Sequence, residues 1–397
     1  MRALSATSTR LDAYEAGREL GEALAAIEPE VVVIFSSIHY DLGEQREGLI
    51  DGLGREDVLI FGGTGDGFFE TASSSDIGVA ALGLSSGGAM RFYAHLERDL
   101  GVDSRAAARR CGAAVRAAAG DAPVRLAMVL FDGLATADNR VVEGLGEALD
   151  CPVFGGVTSD DRKLETSYVV VDGEAHADAV AVLALCGDFD FVVGVENGTC
   201  PVGEVGRVDA AEGNTILRID GRSALEFVAD RLGKSPDAFT HQDIGVVNFQ
   251  CSARADMRDS LYRSIAQWRR ESGALETFGP VEVGQYVRVA LVTSDELLAG
   301  IDGVLDGVGG AADRAFTPVA ALGISCAGRK WFLGPRFAEE IEAVRARFPG
   351  LPIIGFPSLG EISPRRRGDG SYSRNLFHNV SFVLTLLGAA AGAPEAT

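Results

Sequence analysis

Val31-Val32-Val33-Ile34-Phe35, then a helix-compatible stretch through Leu49, Ile50 and Leu53, then Val58-Leu59-Ile60-Phe61 breaking into Gly62-Gly63-Thr64-Gly65-Asp66-Gly67, is the run that carries the fold. A short apolar run bounded by turn residues reads as a buried strand. Strand, helix and strand joined by short connections argue for two parallel strands linked by a crossover. The second strand stops where small residues begin, because glycine, serine and threonine suit a tight exit turn.

The same pattern occurs twice more, and an internal repeat constrains a fold more than any single element does. The second copy opens with residues 126–131. Its helix carries Val141, Val142, Leu145 and Leu149 at helical spacing, and Val153-Phe154 breaks into Gly155-Gly156-Val157-Thr158-Ser159-Asp160. The third opens with residues 320–325. Pro335 fits a first helical position, Phe337, Ile341, Val344 and Phe348 form one apolar face, and Pro349 stops the helix. Ile353-Ile354 then breaks into Gly355-Phe356-Pro357-Ser358-Leu359-Gly360-Glu361. A further apolar strand follows each copy, at residues 77–84, 167–171 and 380–387.

Other elements are legible. Residues 11–27 read as a helix, Ser223 with Glu226 makes a capping box, and Ser294 or a neighbour caps a helix running through Leu297, Ile301, Val304 and Val308. Residues 234–268 are polar and weakly periodic, which predicts a loop with a short helix. Residues 195–221 are glycine-rich and polar, which suggests a domain boundary. The expected fold is therefore α/β: two packed domains built from related strand–helix–strand units, with mixed, partly parallel sheets. The domains are expected at residues 1–205 and 206–390, with a flexible tail at 391–397.

Bulk properties narrow the function. The chain has 397 residues, enough for two domains, and a net charge of −21 with a pI near 4.7. A polyanion repels phosphate backbones, so neither nucleic acid nor insertion into a membrane is expected. The apolar runs are strand-sized, the start lacks a signal-peptide pattern, and the six cysteines form no CxxC pair. A reducing, cytoplasmic setting is the expectation. The basic run Arg365-Arg366-Arg367 follows Pro364 and reads as a solvated loop.

The recurring exit turns are the leading site candidates, because ligands of open α/β sheets bind beyond the carboxyl ends of strands. The turns offer Gly63, Thr64, Gly65 and Asp66, then Gly156, Thr158, Ser159 and Asp160, then Gly355, Phe356, Ser358 and Glu361. The plain alternative is that small residues are simply what tight strand exits require. A phosphate loop does not fit: the first strand of the unit does not lead into GxGxxG, and GxxxxGK[ST] is absent. Gly323-Ile324-Ser325-Cys326-Ala327-Gly328-Arg329 is a near miss for a nucleophile elbow, with Ser325 or Cys326 as nucleophile and Arg329 favouring a thiolate. Such an enzyme needs a base, His378 or His39. The plainer reading is a buried thiol beside an arginine that holds a carboxylate. A lone histidine can also ligate haem iron, and its commoner role is to hold a turn by a hydrogen bond.

Several segments resemble the FIST proteins, bacterial sensory proteins with a FIST N region followed by a FIST C region. The N-terminal likeness lies in residues 31–36 and the turn at 62–67. The junction likeness lies in Gly198, Pro201 and Gly203, then Gly213-Asn214-Thr215-Ile216 and Ile219-Asp220-Gly221-Arg222-Ser223-Ala224-Leu225. In the C-terminal half, Ser325-Cys326-Ala327-Gly328-Arg329, Gly355-Phe356-Pro357-Ser358-Leu359-Gly360-Glu361-Ile362 and Leu376-Phe377-His378-Asn379 resemble family elements. The resemblance implies a small-ligand sensory module, for amino acids or their derivatives, or alternatively a haem-binding nitric oxide sensor. It implies no established catalytic residues. No kinase, cyclase or receiver region is evident in the sequence, so a stand-alone sensor signalling to a separate protein such as a kinase or cyclase is the expectation. Asp66-Gly67 stands where many relatives carry Gly-Glu. The expected ligand set is the turn residues above with Ser325, Cys326, Arg329 and His378; acidic groups suit an amine and Arg329 a carboxylate.

Overall fold

All three strand–helix–strand stretches form, each with parallel strands: Val31 lies opposite Leu59, Ala127 opposite Val153, and Ala321 opposite Ile353. In the computed structural model, which describes residues 1–136 and 139–389, each stretch is the centre of a longer unit with one plan. An outer strand, helix, strand, helix and strand lead to a hairpin and a returning strand.

The first unit is β1 (Arg2–Ser8), α1 (Ala13–Leu24), β2 (Val31–Ser36), α2 (Leu42–Leu53), β3 (Leu59–Thr64), the hairpin β4 (Phe68–Glu70) and β5 (Ser74–Ser75), and β6 (Val79–Ser85). The second is β7 (Met90–Arg98), α3 (Ser104–Ala119), β8 (Val124–Asp132), α4 (Arg140–Ala148), β9 (Val153–Thr158), the hairpin β10 (Val169–Val171) and β11 (Glu174–His176), and β12 (Ala179–Gly187). The third begins with β13 (Asp190–Glu196) and is then interrupted by an inserted segment. The insert holds β14 (Cys200–Glu212), β15 (Thr215–Ile219), β16 (Arg222–Ser223), α5 (Ala224–Arg231), α6 (His241–Val246), β17 (Val247–Ser252), β18 (Leu261–Arg269), β19 (Ala274–Thr277) and β20 (Tyr286–Leu291). The unit resumes with α7 (Ser294–Ala315), β21 (Pro318–Cys326), α8 (Ala327–Leu333), α9 (Ala338–Arg347), β22 (Ile353–Ser358), the hairpin β23 (Glu361–Arg366) and β24 (Tyr372–His378), and β25 (Phe382–Gly388).

The three six-stranded sheets have equivalent orders: β1-β6-β2-β3-β10-β11, β7-β12-β8-β9-β23-β24 and β13-β25-β21-β22-β4-β5. In each, the last two strands belong to a different unit. The first unit gives its hairpin to the third, the third to the second, and the second to the first. This exchange corrects one expectation. The apolar strand expected at residues 167–171 forms as β10, but it is not equivalent to those at 77–84 and 380–387: it pairs with β3 of the first unit, while β12 returns to β8.

Strand alternation explains the layering. One face of each sheet turns to a shared central core, where Val33, Phe35 and Phe61 meet Met128, Leu130 and Phe154, and Leu322, Ile324 and Ile354. The opposite faces are covered by α1 and α2, by α3 and α4, and by α7 and α9. Aspartates cap the helix starts: Asp12 accepts from Glu15 N, Asp41 from Gly43 N and Glu44 N, and Asp103 from Ala106 N. The capping box of Ser223 and Glu226 forms at α5, and Thr293, the residue before Ser294, caps α7.

The insert is a seven-stranded sheet with its own core, including Phe227, Phe249, Leu275 and Val289. Residues 234–268 therefore differ from the expected loop with a short helix, since they contain α6, β17 and most of β18. The alternation Val247, Phe249, Cys251 is short and flanked by polar runs, which hides it from a periodicity reading. The boundary expected at 205/206 falls inside β14, and strands from both sides of it share two sheets. The tail expected at 391–397 lies outside the described residues. No helix among the described residues is long and apolar enough to cross a membrane.

Candidate functional site

The exit turns after β3, β9 and β22 converge because the three units close a ring. Gly63, Gly156 and Phe356 hold equivalent places, opposite Phe35, Leu130 and Ile324. A Cβ on Gly63 would sit 2.7 Å from Thr158 Cγ2, and one on Gly156 would sit 2.5 Å from Ser358 Oγ. The third unit places the Phe356 ring there instead, stacked on Phe35 at 4.4 Å and pressed against Gly65.

The polar side chains of the turns bond one another. Thr64 Oγ1 donates to Ser159 O (2.9 Å), Ser159 Oγ accepts from Asp66 N (3.0 Å), and Thr158 Oγ1 donates to Phe131 O (3.1 Å). Ser358 Oγ accepts from Val157 N (2.8 Å), linking the second turn to the third. Asp160 accepts from the backbone of Leu164, Glu165 and Thr166, and Gly355 packs against Phe69. These groups are buried, so the turns form a polar seam between units.

Asp66 stands at the edge of that seam in an ion cluster. Its carboxylate meets Lys330 Nζ (3.1 Å), Arg162 Nε (3.0 Å) and Trp331 Nε1 (2.5 Å). Lys330 Nζ also donates to Asp66 O (2.5 Å) and pairs with Asp76 (2.7 Å). Lys330 is 7% exposed, whereas the Asp76 side chain is 72% exposed. A cavity of about 620 Å³ opens beside them, lined by Ser74, Ser75, Asp76, Arg162 and Lys330 and by the apolar Phe68, Pro335 and Phe337. All three units contribute to it. Sequence reasoning identified Asp66 but missed Asp76, Arg162, Lys330 and Trp331. These lie on three separate segments, with Lys330 and Trp331 adjacent on α8, and no spacing along the chain links the segments.

Ser325 and Arg329 lie in a different buried group. Arg329 Nε and Nη2 both reach Glu340 Oε1 (2.8 and 2.7 Å), while Ser325 Oγ donates to Glu340 Oε2 (2.8 Å). Arg329 also donates to the carbonyls of Asn197 and Leu297. Its guanidinium is thus fully engaged within the protein, as is the Ser325 hydroxyl. Burial pushes the Cys326 thiol far up, and the Glu361 carboxylate adds to that shift. No histidine is hydrogen-bonded to Cys326 or Ser325 among the described residues. His39 pairs with Asp161 at 3.3 Å. Neither His378 nor His39 is thus placed as the base expected for a nucleophile there; the partner of the Ser325 hydroxyl is the Glu340 carboxylate, itself held by Arg329.

His378 is fully buried, and its Nε2 lies 3.0 Å from Ser363 O, so Nε2 carries the proton. Burial, with the nearby Arg365 and Arg263, pushes this imidazole down to about 3. His95 and His176 lie beside Glu97 and Glu174, and His241 stacks on Trp268. Among the described residues, the cavity beside Lys330 is lined by no histidine, cysteine, methionine or tyrosine, so the residues present there do not fit axial ligation of a haem.

Glu361 occupies the central core at a position where the other units carry Phe68 and Val169. Its Oε2 accepts from Ser381 N (3.1 Å) and Oγ (2.7 Å), whereas its Oε1 and His378 Nδ1 find no partner among the described residues. Burial lifts this carboxyl to about 8. The unfolded chain releases the same proton near pH 4.3. Glu361 therefore contributes stability that is complete below about pH 4.3 and is lost as pH rises through about 8. His378 acts oppositely: its contribution is present above about pH 6.5 and is lost as pH falls through about 3. Between about pH 6.5 and 8, Glu361 should cost the native state on the order of 2 kcal/mol. Glu361→Gln is expected to flatten that slope in urea titrations; an unchanged slope would mean that another group titrates.

Family models match most of the chain: FIST N domain over residues 30–222 and FIST C domain over residues 224–364. The chain is also 26% identical over 109 residues to an uncharacterized protein of Methanocaldococcus jannaschii. That match spans 28% of this chain and 21% of its relative. FIST domains are generally associated with small-ligand sensing in signal transduction. With both models matched in order along the ring and its insert, the chain belongs to the FIST family.

Proposed function

We propose that this chain senses a small zwitterion, an amino acid or a derivative of one, in the cavity beside Lys330, and passes the signal to a separate protein such as a kinase or cyclase. The observation that carries this reading is the charge arrangement. Arg162 and Lys330 offer cations to a carboxylate, Asp76 offers an anion to an ammonium, and Phe68, Pro335 and Phe337 supply an apolar wall. Pockets of a few hundred Å³ with a few placed polar groups on apolar walls are the usual form of a small-ligand site. Lys330 is held by one buried carboxylate, Asp66, and one exposed one, Asp76. A ligand carboxylate can displace the exposed partner and free the hairpin strand β5 that precedes it.

Thermal-shift measurements with individual amino acids test the reading. A ligand present at a hundred times its dissociation constant stabilises the native state by about 2.7 kcal/mol. Arg162→Ala removes a half-exposed side chain with little expected loss of stability, and it should abolish the shift. A shift that persists in Arg162→Ala, or no shift with any amino acid, refutes the assignment.

A further inference from the structure

The third unit departs from the common plan in two places: the inserted sheet and the helix α8. In the first unit residues 37–41 join the second strand to the helix that follows it. In the third, residues 327–337 occupy that connection and build α8 and a 3₁₀ turn. These two additions face each other across a cavity of about 320 Å³. Ile244, Ile265, Phe278 and Val292 come from the insert and its return, and Trp331 and Phe332 come from α8. No equivalent walls exist among the described residues of the other two units, so repetition of the fold does not account for this cavity.

Three observations make it a built site. First, Asn248 lines it and is 3% exposed, yet its side-chain amide makes no hydrogen bond among the described residues. The amide atoms are not sealed from solvent, so the group stays open to pair with a molecule in the cavity. Ser264 stands directly across the strand pair from Asn248 and lines the same cavity. Second, Val380 lines it with φ at +57°, a left-handed conformation that is costly for a β-branched residue. Third, Trp331 and Phe278 are 44% and 43% exposed, which places two large aromatic rings at its border. The one charged residue on its wall, Arg329, is engaged by Glu340.

We infer that this cavity is a second binding site, taking an uncharged molecule that carries an amide, or a comparable donor–acceptor pair, on an aromatic or branched aliphatic body. The walls supply apolar contact, the Asn248 amide supplies one donor and one acceptor, and the lack of a free charge disfavours ions. The volume corresponds to about ten water molecules at roughly 30 Å³ each, which fits a single small ring with its substituents.

Calorimetric titration of the full chain with acetanilide and with ethylbenzene tests the inference, with tryptophan fluorescence as a second readout. Acetanilide should saturate one site and bind roughly tenfold more tightly than ethylbenzene, because the hydrocarbon leaves Asn248 unpaired. Asn248→Leu should reverse that preference. Gly245 lines the cavity, and a Cβ there has nothing within 4 Å, so Gly245→Leu should fill the space, keep the fold and abolish binding of both probes. The fluorescence change should vanish in Trp331→Phe, and calorimetric binding of acetanilide should persist in Arg162→Ala, which separates this site from the zwitterion cavity. Failure of both probes to saturate the folded wild-type chain, or binding retained in Gly245→Leu, overturns the site. A wild-type preference for ethylbenzene overturns its assigned chemistry.

Discussion

Arg329→Ala is expected to leave little folded protein. Arg329 and Glu340 are both fully buried, and the substitution strands the Glu340 carboxylate with Ser325 as its remaining hydrogen-bond partner. Breaking a buried pair by removing one member costs about 3–5 kcal/mol. That is a large part of the roughly 5–15 kcal/mol that separates native from unfolded chains. The carbonyls of Asn197 and Leu297, which Arg329 ties to α8, lose their donors as well. Arg329→Lys should recover little, because an ammonium cannot reproduce the planar fork. The double variant Arg329→Met, Glu340→Leu should recover most of the loss, since an apolar pair of similar volume removes both charges together. Denaturant midpoints measure all three, and a loss below about 1 kcal/mol in Arg329→Ala would show that the pair is not a stabilising element.

The second large effect concerns cutting the chain between the two family-model matches. A fragment of residues 1–222 is expected to show no cooperative unfolding transition. It keeps β9 but loses β23, its neighbour in the sheet, and it keeps β4 but loses β22. Phe35 also loses its stacking partner Phe356. The exposed strand edges then favour aggregation. Co-expression with residues 224–397 should restore a soluble complex with a single melting transition. Circular dichroism melts and size-exclusion profiles distinguish the cases, and a sharp transition in the isolated fragment would contradict the interlocked arrangement.

The repeat was legible in the sequence because each of its strands is an apolar run ending at small residues. The parallel pairing followed from the short helical connections, as in Val31 opposite Leu59. The hairpin exchange was not legible, because β4, β10 and β23 pair with strands of other units, and no local pattern encodes a partner. Val169 and Val170 look like any short strand, and their place beside Gly63 and Gly62 is a tertiary fact. The turns read as candidate ligand sites, and they pack against one another. Their small size reflects close approach across the ring, as at Gly156. The charged cluster was half legible: Asp66 ends a visible turn, whereas Lys330 and Trp331 sit on α8, too short and too mixed in composition to stand out.

The cyclic passing of hairpins has a consequence for how such a chain could arise. Each unit hands a two-stranded flap to its neighbour, and the third hand-over closes the circle. Three separate one-unit chains would do the same as a domain-swapped trimer with a closed threefold axis. Joining them end to end replaces a concentration-dependent encounter with an intramolecular one, at an effective concentration in the millimolar range for short links. Once joined, the copies need no longer be identical. One of them can acquire an extra sheet and an extra helix without forcing the same change on the other two, and a ring of equals becomes a protein with one specialised corner.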